Sequence, residues 1–238
     1  MALAVIFSER NECTRENPVK IEVGEGEHVM VGVAGNYPGL LTHVSCSNIA
    51  IVGKGKGKTT ILGGLHVDGK QNVKIEQLSV TNKAGYGLIC VGSATNVDVT
   101  ECCFKKCQYH GMAVGGGATV TTTRCDFMDN GYYGVGCAGG NTKVRLNDST
   151  MHHNEMGGLG AGDHAVVDLH GTKTGIHSNK QDGISAVDNA KVNIHLPSQH
   201  NTTHDNVGNN RVQEDGGSIA NINADGTFTH VEEVDVDW

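Results

Sequence analysis

Between residues 47 and 194 the chain repeats one short pattern: a small or polar residue, then any residue, an apolar residue, any residue, and a second apolar position. The two apolar positions are Ile49 and Ile51, Val73 and Ile75, Val97 and Val99, Val120 and Thr122, Val144 and Leu146, Val167 and Leu169, and Val192 and Ile194. Alternation with a period of two is the signature of a half-buried β-strand. Each first apolar position follows the last by 23–25 residues. A second column keeps the same step: Gly87, Gly111, Gly134, Gly158 and Gly183, each followed by an apolar residue and then by a small or apolar one two further on. It predicts another strand per unit, entered through a glycine that permits a sharp turn. A third column lies four residues before each glycine, at Lys83, Cys107, Asn130, Asn154 and Asn179.

A unit of about 24 residues without helical periodicity cannot bury an apolar face alone, so equivalent units must stack. The predicted fold is all-β: a single-domain right-handed parallel β-helix of about seven or more coils. Seven coils at strand spacing make a rod of roughly 34 Å. Asn130, Asn154 and Asn179 then become a ladder of stacked amides along its axis. Residues 1–20 are expected to form an N-terminal cap and 21–224 the solenoid, with a polar insertion near 197–217. Residues 225–238 are expected to be a capping strand, in which Val234, Val236 and Trp238 cover the last coil while Asp235 and Asp237 discourage further pairing.

Composition fits this reading. Thirty-four Gly against three Pro, with aromatics at 4%, suits short β-branched strands and tight turns. The net charge of −8, with dispersed Lys and Arg, argues against nucleic acid as a partner. No apolar run is long enough to span a membrane, and "MALAVIF" lacks the basic flank of a signal peptide, so an intracellular location is expected. The eight Cys are then expected to be buried thiols. No C-x-x-C pair occurs, and no cofactor is implied.

"GKGKGKTT" at residues 53–60 invites comparison with a phosphate-binding loop. The first glycine of that motif would fall at Val52, and the following "TTILGGLHV" is strand-like where a helix is required. The stretch reads as a coil corner with solvated lysines. With its surroundings, "NIAIVGKGKGKTTILGG", it resembles the first coil of right-handed parallel β-helix proteins of the pectate lyase-like class. "FMDNGYYGVGC" and "IHSNKQDGISA" resemble the x-x-N-x-x-x-G-[IV] coils of the β-helix repeat family. The resemblance covers roughly residues 20–225. It implies the fold, and a family that holds carbohydrate-active enzymes as well as non-enzymatic domains of F-box and adaptor proteins.

Enzymes of that class use an Arg or Lys base with calcium, or paired carboxylates. The outward column of the main strand reads Lys74, Asp98, Thr121, Arg145, Asp168, Asn193. Asp98 and Asp168 lie three coils apart, roughly 14 Å, too far to share an ion or a bond-breaking step. Arg145 beside Asp168 reads as a surface ion pair. The Y-G-[FI]-D-P-H element of alginate epimerases is absent; "YYGVG" at Tyr132–Gly136 stops short of it. No residue is assigned a catalytic role. His152, His177 and His204 each precede an Asn by two, a stack that could hold a transition metal but reads first as structural. His170 and His195 form a similar pair on another column.

Four of the five tyrosines sit just before a coil glycine. Tyr86, Tyr109 with His110, and Tyr132 with Tyr133 make a ribbon over three coils, the candidate binding surface. Small residues beside the glycine column, Ala113, Gly115, Gly136, Ala138, Gly160 and Gly162, suit close packing. The leading expectation is a non-catalytic module presenting an extended face to a protein or polysaccharide, or to other subunits of a homo-oligomer or larger assembly. The alternative is a divergent lyase or uronate epimerase acting on an acidic glycan, using Tyr109, His110, Tyr132 or Tyr133 with His152 or Arg145.

Overall fold

A computed structural model describes residues 13–29, 41–195 and 202–229. Its strands fall into three sheets that take every third strand in turn, so each circuit of the chain contributes one strand to each sheet. Among the described residues there are eight such circuits, and every pairing between successive coils is parallel. The chain is a parallel β-solenoid.

The register of the first sheet reproduces the sequence column. Val19, Ile49, Val73, Val97, Val120, Val144, Val167, Val192 and Ile219 pair in succession. From Ile49 to Val192 these side chains and those two residues on point inward and are buried, which accounts for the regular alternation. The exception, Thr122, is fully buried in an apolar column, and its hydroxyl is satisfied by Ser149 Oγ at 3.2 Å. In the second sheet Phe104 and Phe127 align and stack, with ring centroids 5.3 Å apart. The third sheet aligns Leu88, Met112, Val135, Leu159 and Ile184 on its inner face.

At the corner between the second and third sheets runs the asparagine ladder. Asn130 Nδ2 donates to Asn154 Oδ1 at 3.0 Å, Asn154 Nδ2 to Asn179 Oδ1 at 2.9 Å, and Asn179 Nδ2 to Asn206 Oδ1 at 2.9 Å. Each amide also donates to a strand carbonyl of the preceding coil, as Asn154 does to Phe127. Asn130, Asn154 and Asn179 are wholly buried, so these bonds satisfy groups that water cannot reach. Cys107 interrupts the ladder, its backbone N–H donating to Asn130 Oδ1 at 3.1 Å. In the coil before it the matching position is Asn82, whose Nδ2 faces Gly64 as Asn130 Nδ2 faces Gly111; Lys83 is exposed. The loop there is one residue longer than the spacing assumed.

The glycine column is not left-handed. Gly87, Gly111, Gly134, Gly158 and Gly183 all lack positive φ; at the corners that role falls largely on polar residues. Lys106, Asp129, His153, Ser178 and Asp205 hold φ of 54–57° just before the ladder position. Gln77, Glu101, Arg124 and Asp148 hold φ of 45–54° after the first-sheet strand. The column glycines are instead crowded, a point taken up below.

At the ends, Val19–Glu22 already pairs with Ile49–Val52. Within the stretch expected as a polar insertion, Thr203–His204 and Arg211–Gln213 take regular places in the second and third sheets. Phe228–Thr229 pairs antiparallel with the edge strand Ser218–Ile222. Most of the expected N-terminal cap, and the Val234, Val236 and Trp238 strand, lie outside the described residues.

Candidate functional site

The tyrosines precede the third-sheet strands, so each coil sets its ring one strand spacing from the last. Tyr86 and Tyr109 stack at 5.1 Å, and Tyr109 and Tyr132 lie 5.5 Å apart. A parallel file runs through His110, 5.6 Å from Tyr86 and 5.9 Å from Tyr133. The structure thus brings all five ribbon residues together. Tyr132 is 43% exposed, the others partly buried.

His110 and Tyr133 are covered by the sheet itself. A Cβ at Gly136 would come within 3.0 Å of the His110 ring, and one at Gly160 within 3.1 Å of the Tyr133 ring. Each ring leans over the outward residue of the next coil, and glycine there leaves room for it. The hydroxyl of Tyr133 reaches Ser185 two coils on. Burial pushes the Tyr133 phenol up and the His110 imidazole down, so both stay neutral at neutral pH.

Beside these rings the outer face of the third sheet forms an open groove of ≈ 350 Å³. Ala113, Gly136 and Gly160 align along one row of its floor, and Gly115, Ala138 and Gly162 along the next. Tyr86, His110 and Tyr133 form its wall. Ile89, Val91 and Val187 also line it, and the lining holds no carboxylate, lysine or arginine. Residue spacing identifies the rings and the small residues only as separate features. That the rings lie across the small residues to make one groove depends on side-chain direction, which spacing does not carry.

The histidine columns divide. His152, His177 and His204 align in the second sheet with ring centroids 5.2 and 5.0 Å apart and nearly parallel planes. Their Nδ1 atoms turn to different neighbours: His153 Nδ1 at 2.7 Å, Ser178 Oγ at 3.1 Å and Asp205 Oδ2 at 2.8 Å. This column packs as a stack. The ligand atoms that converge among the described residues are those of Asp168, His170 and His195, all within 4.8 Å of one another. Burial and the neighbouring His195 and Arg145 charges hold His170 below its ordinary pKa. The missed signal was Asp168-Leu-His170: in a strand, residues two apart share a face.

One expected surface reading changes, and a second holds with added detail. Arg145 aligns with Asp168, but the hydrogen-bond partners of that carboxylate are His195 Nε2 at 2.9 Å and Asn193 Nδ2 at 3.0 Å. A neighbour in the next coil reaches it with less side-chain ordering than a long arginine needs. The lysines of "GKGKGKTT" are exposed yet paired: Lys54 with Glu22, Lys58 with Glu25, and Lys56 with Asp126. The segment is a turn between the strands Ile49–Val52 and Thr59–Leu62, with no helix after it. Among the described residues no helix is long and apolar enough to cross a membrane.

A family model described as the right handed beta helix region matches residues 63–231. A search of curated protein sequences returns no match. Among solved structures, the A-module of the Azotobacter vinelandii mannuronan C-5 epimerase AlgE6 is similar over 90% of this chain and 75% of its own, at 12% identity and a TM-score of 0.47. ORF18 of Geobacillus virus E2 is similar over 88% of this chain and 54% of its own, at 9% identity and a TM-score of 0.37.

Proposed function

The chain belongs to the right-handed β-helix family, and on that premise we propose that it is a non-catalytic interaction module that binds an extended partner along the third-sheet groove. The observation that carries this is the pairing of a small-residue floor with an aromatic wall across successive coils. Stacked coils repeat the same features about every 4.8 Å, so the surface suits a partner that is itself extended. Aromatic rings supply large contact area with little loss of side-chain freedom. An apolar floor offers few hydrogen bonds to a polyhydroxylated chain, which favours a polypeptide segment with apolar side chains over a glycan. The groove also lacks the paired carboxylates or cationic base that bond cleavage or epimerisation in an acidic glycan would need.

The test is selection of ligands from a displayed-peptide library and a glycan array, followed by affinity measurement on two variants. Tyr132→Ala removes the most exposed ring of the ribbon, which packs 5.6 Å from His110 of the wall. Gly162→Leu fills the floor at a position where an added Cβ meets only Val187 Cγ2 at 3.6 Å. Each should weaken binding at least about 5-fold, or 1 kcal/mol, while leaving the melting temperature nearly unchanged. Ligands that bind both variants as well as the native chain would refute the groove. New ultraviolet absorbance from unsaturated ends on incubation with uronate polymers would instead establish a lyase.

A further inference from the structure

A second site lies on a different face, on the outer surface of the first sheet near its C-terminal end. Asp168 and His170 belong to the strand Val166–His170, and His195 ends the next strand, Lys191–His195. Alternation sends Asp168 and His170 to the same side, and the parallel register brings His195 against His170 with ring centroids 4.0 Å apart. Two imidazoles and a carboxylate therefore share one small patch, their ligand atoms all within 4.8 Å of one another.

Three details set this patch apart from the His152, His177 and His204 stack. His170 Nε2 is shielded from solvent and has no hydrogen-bond partner, a state that buried nitrogen atoms seldom keep. Asp168 is held in place by Asn193 Nδ2, 3.0 Å from Oδ1, the kind of outer contact that orients a carboxylate ligand. His195 Nε2 also meets Oδ1, at 2.9 Å, so Oδ2 is the oxygen open to a further partner. In the His152, His177 and His204 stack, by contrast, the Nδ1 atoms engage three separate neighbours.

We propose that Asp168, His170 and His195 form a binding site for a borderline transition-metal ion, with Zn²⁺ as the representative case. Two imidazole nitrogens and one carboxylate oxygen are a donor set that suits zinc, nickel or copper over calcium or magnesium. A tetrahedral ion with bonds of about 2.1 Å holds its ligand atoms roughly 3.4 Å apart, so the side chains close inward by about an ångström on binding. His195 adopts its Nδ1–H tautomer, and Nε2 exchanges its hydrogen bond for the ion. The ion gives His170 Nε2 the partner it lacks. Three protein ligands leave a fourth position for water or for a donor atom from a partner molecule.

The experiment is titration of the full chain, stripped with a chelator and desalted, with Zn²⁺ in competition with a chromophoric chelator. One site per chain is expected. His170→Ala, His195→Ala and Asp168→Asn should each weaken it at least 10-fold, while His177→Ala, in the other column, leaves it unchanged. Circular dichroism of the metal-free variants confirms that the solenoid persists; Asp168→Asn and His195→Gln, which keep side-chain size, serve if either alanine variant fails to fold. Absence of binding at micromolar Zn²⁺ overturns the proposal. So does binding that survives loss of His170 and His195, or that falls equally with His177→Ala, which would mark scattered surface imidazoles as its source.

Discussion

A methyl group added at Gly134 would lie 2.9 Å from Asn154 Nδ2, 3.0 Å from the Gly158 carbonyl oxygen and 3.1 Å from Phe127 Cβ. Those neighbours are a ladder amide, a backbone carbonyl of the next coil and a core side chain, none of which can move without breaking something else. Gly134→Ala should therefore destabilise by about 1–3 kcal/mol, the usual cost of overpacking. Gly140→Ala is the matched control: nothing lies within 4 Å of its Cβ position and its φ is not positive, so it should change stability by less than about 0.5 kcal/mol. Chemical denaturation of the two variants checks this, and equal midpoints would sink it. The glycine column was legible from spacing alone, but its cause was not. Spacing points to a sharp turn, of positive φ or crowded, and the crowded alternative holds: the constraint is the closeness of the neighbouring coil, a distance fixed only once strands are stacked. The same holds for the groove floor: Gly136 and Gly160 were visible as small residues, while the rings lying on them were not.

Strands and corners differ in how much they reveal. A strand buried on one face must alternate, and that regularity gave the register of the first sheet residue for residue. A corner needs only a residue that tolerates φ near 55°, and here Lys106, Asp129, His153, Ser178 and Asp205 fill it in successive coils. With no common side chain, such a position leaves no pattern to read. The histidine stack of the second sheet lies beside this corner and gives the element its own test. His177 is held below the ordinary histidine value first by burial, then by the imidazoles of His152, His204 and His153, with Asp205 opposing. His152 is lowered in the same way, by burial and by His153, against Asp126 and Asp129. A folded-state pKa below the unfolded one means that the unfolded chain binds more protons in the window just beneath about pH 6.5. Stability is thus full above that window and declines as pH falls through it. The urea midpoint should be lower at pH 5.5 than at pH 7.5, and the His152→Gln/His177→Gln double variant should lose part of that difference. A midpoint that rises on acidification contradicts the assignment.

At the scale of the whole molecule, stability in a stack of coils is set largely by contacts between neighbours, so a coil with one neighbour opens before a coil with two. The cysteines are placed to report this. All eight are free thiols; Cys13 and Cys46 near the N-terminal end are partly exposed, and the remaining six are buried. Those six occupy three consecutive central coils, from Cys90 to Cys137. Burial pushes the Cys125 thiol up to about 11 and those of Cys107 and Cys137 to about 12, but it raises partly exposed Cys46 to about 11 as well, so what separates the two groups is access of the reagent, which the central thiols gain only when their coil opens. Alkylation in increasing urea, with the modified sites read by mass spectrometry and no reductant present, should label Cys13 and Cys46 first. The six central thiols should follow together at higher urea, and all eight should react once the chain is unfolded. Modification of Cys102 or Cys125 before Cys46 would mean that the rod opens from its middle. Gradual labelling of the six, one after another, would mean that the central coils do not open as a unit.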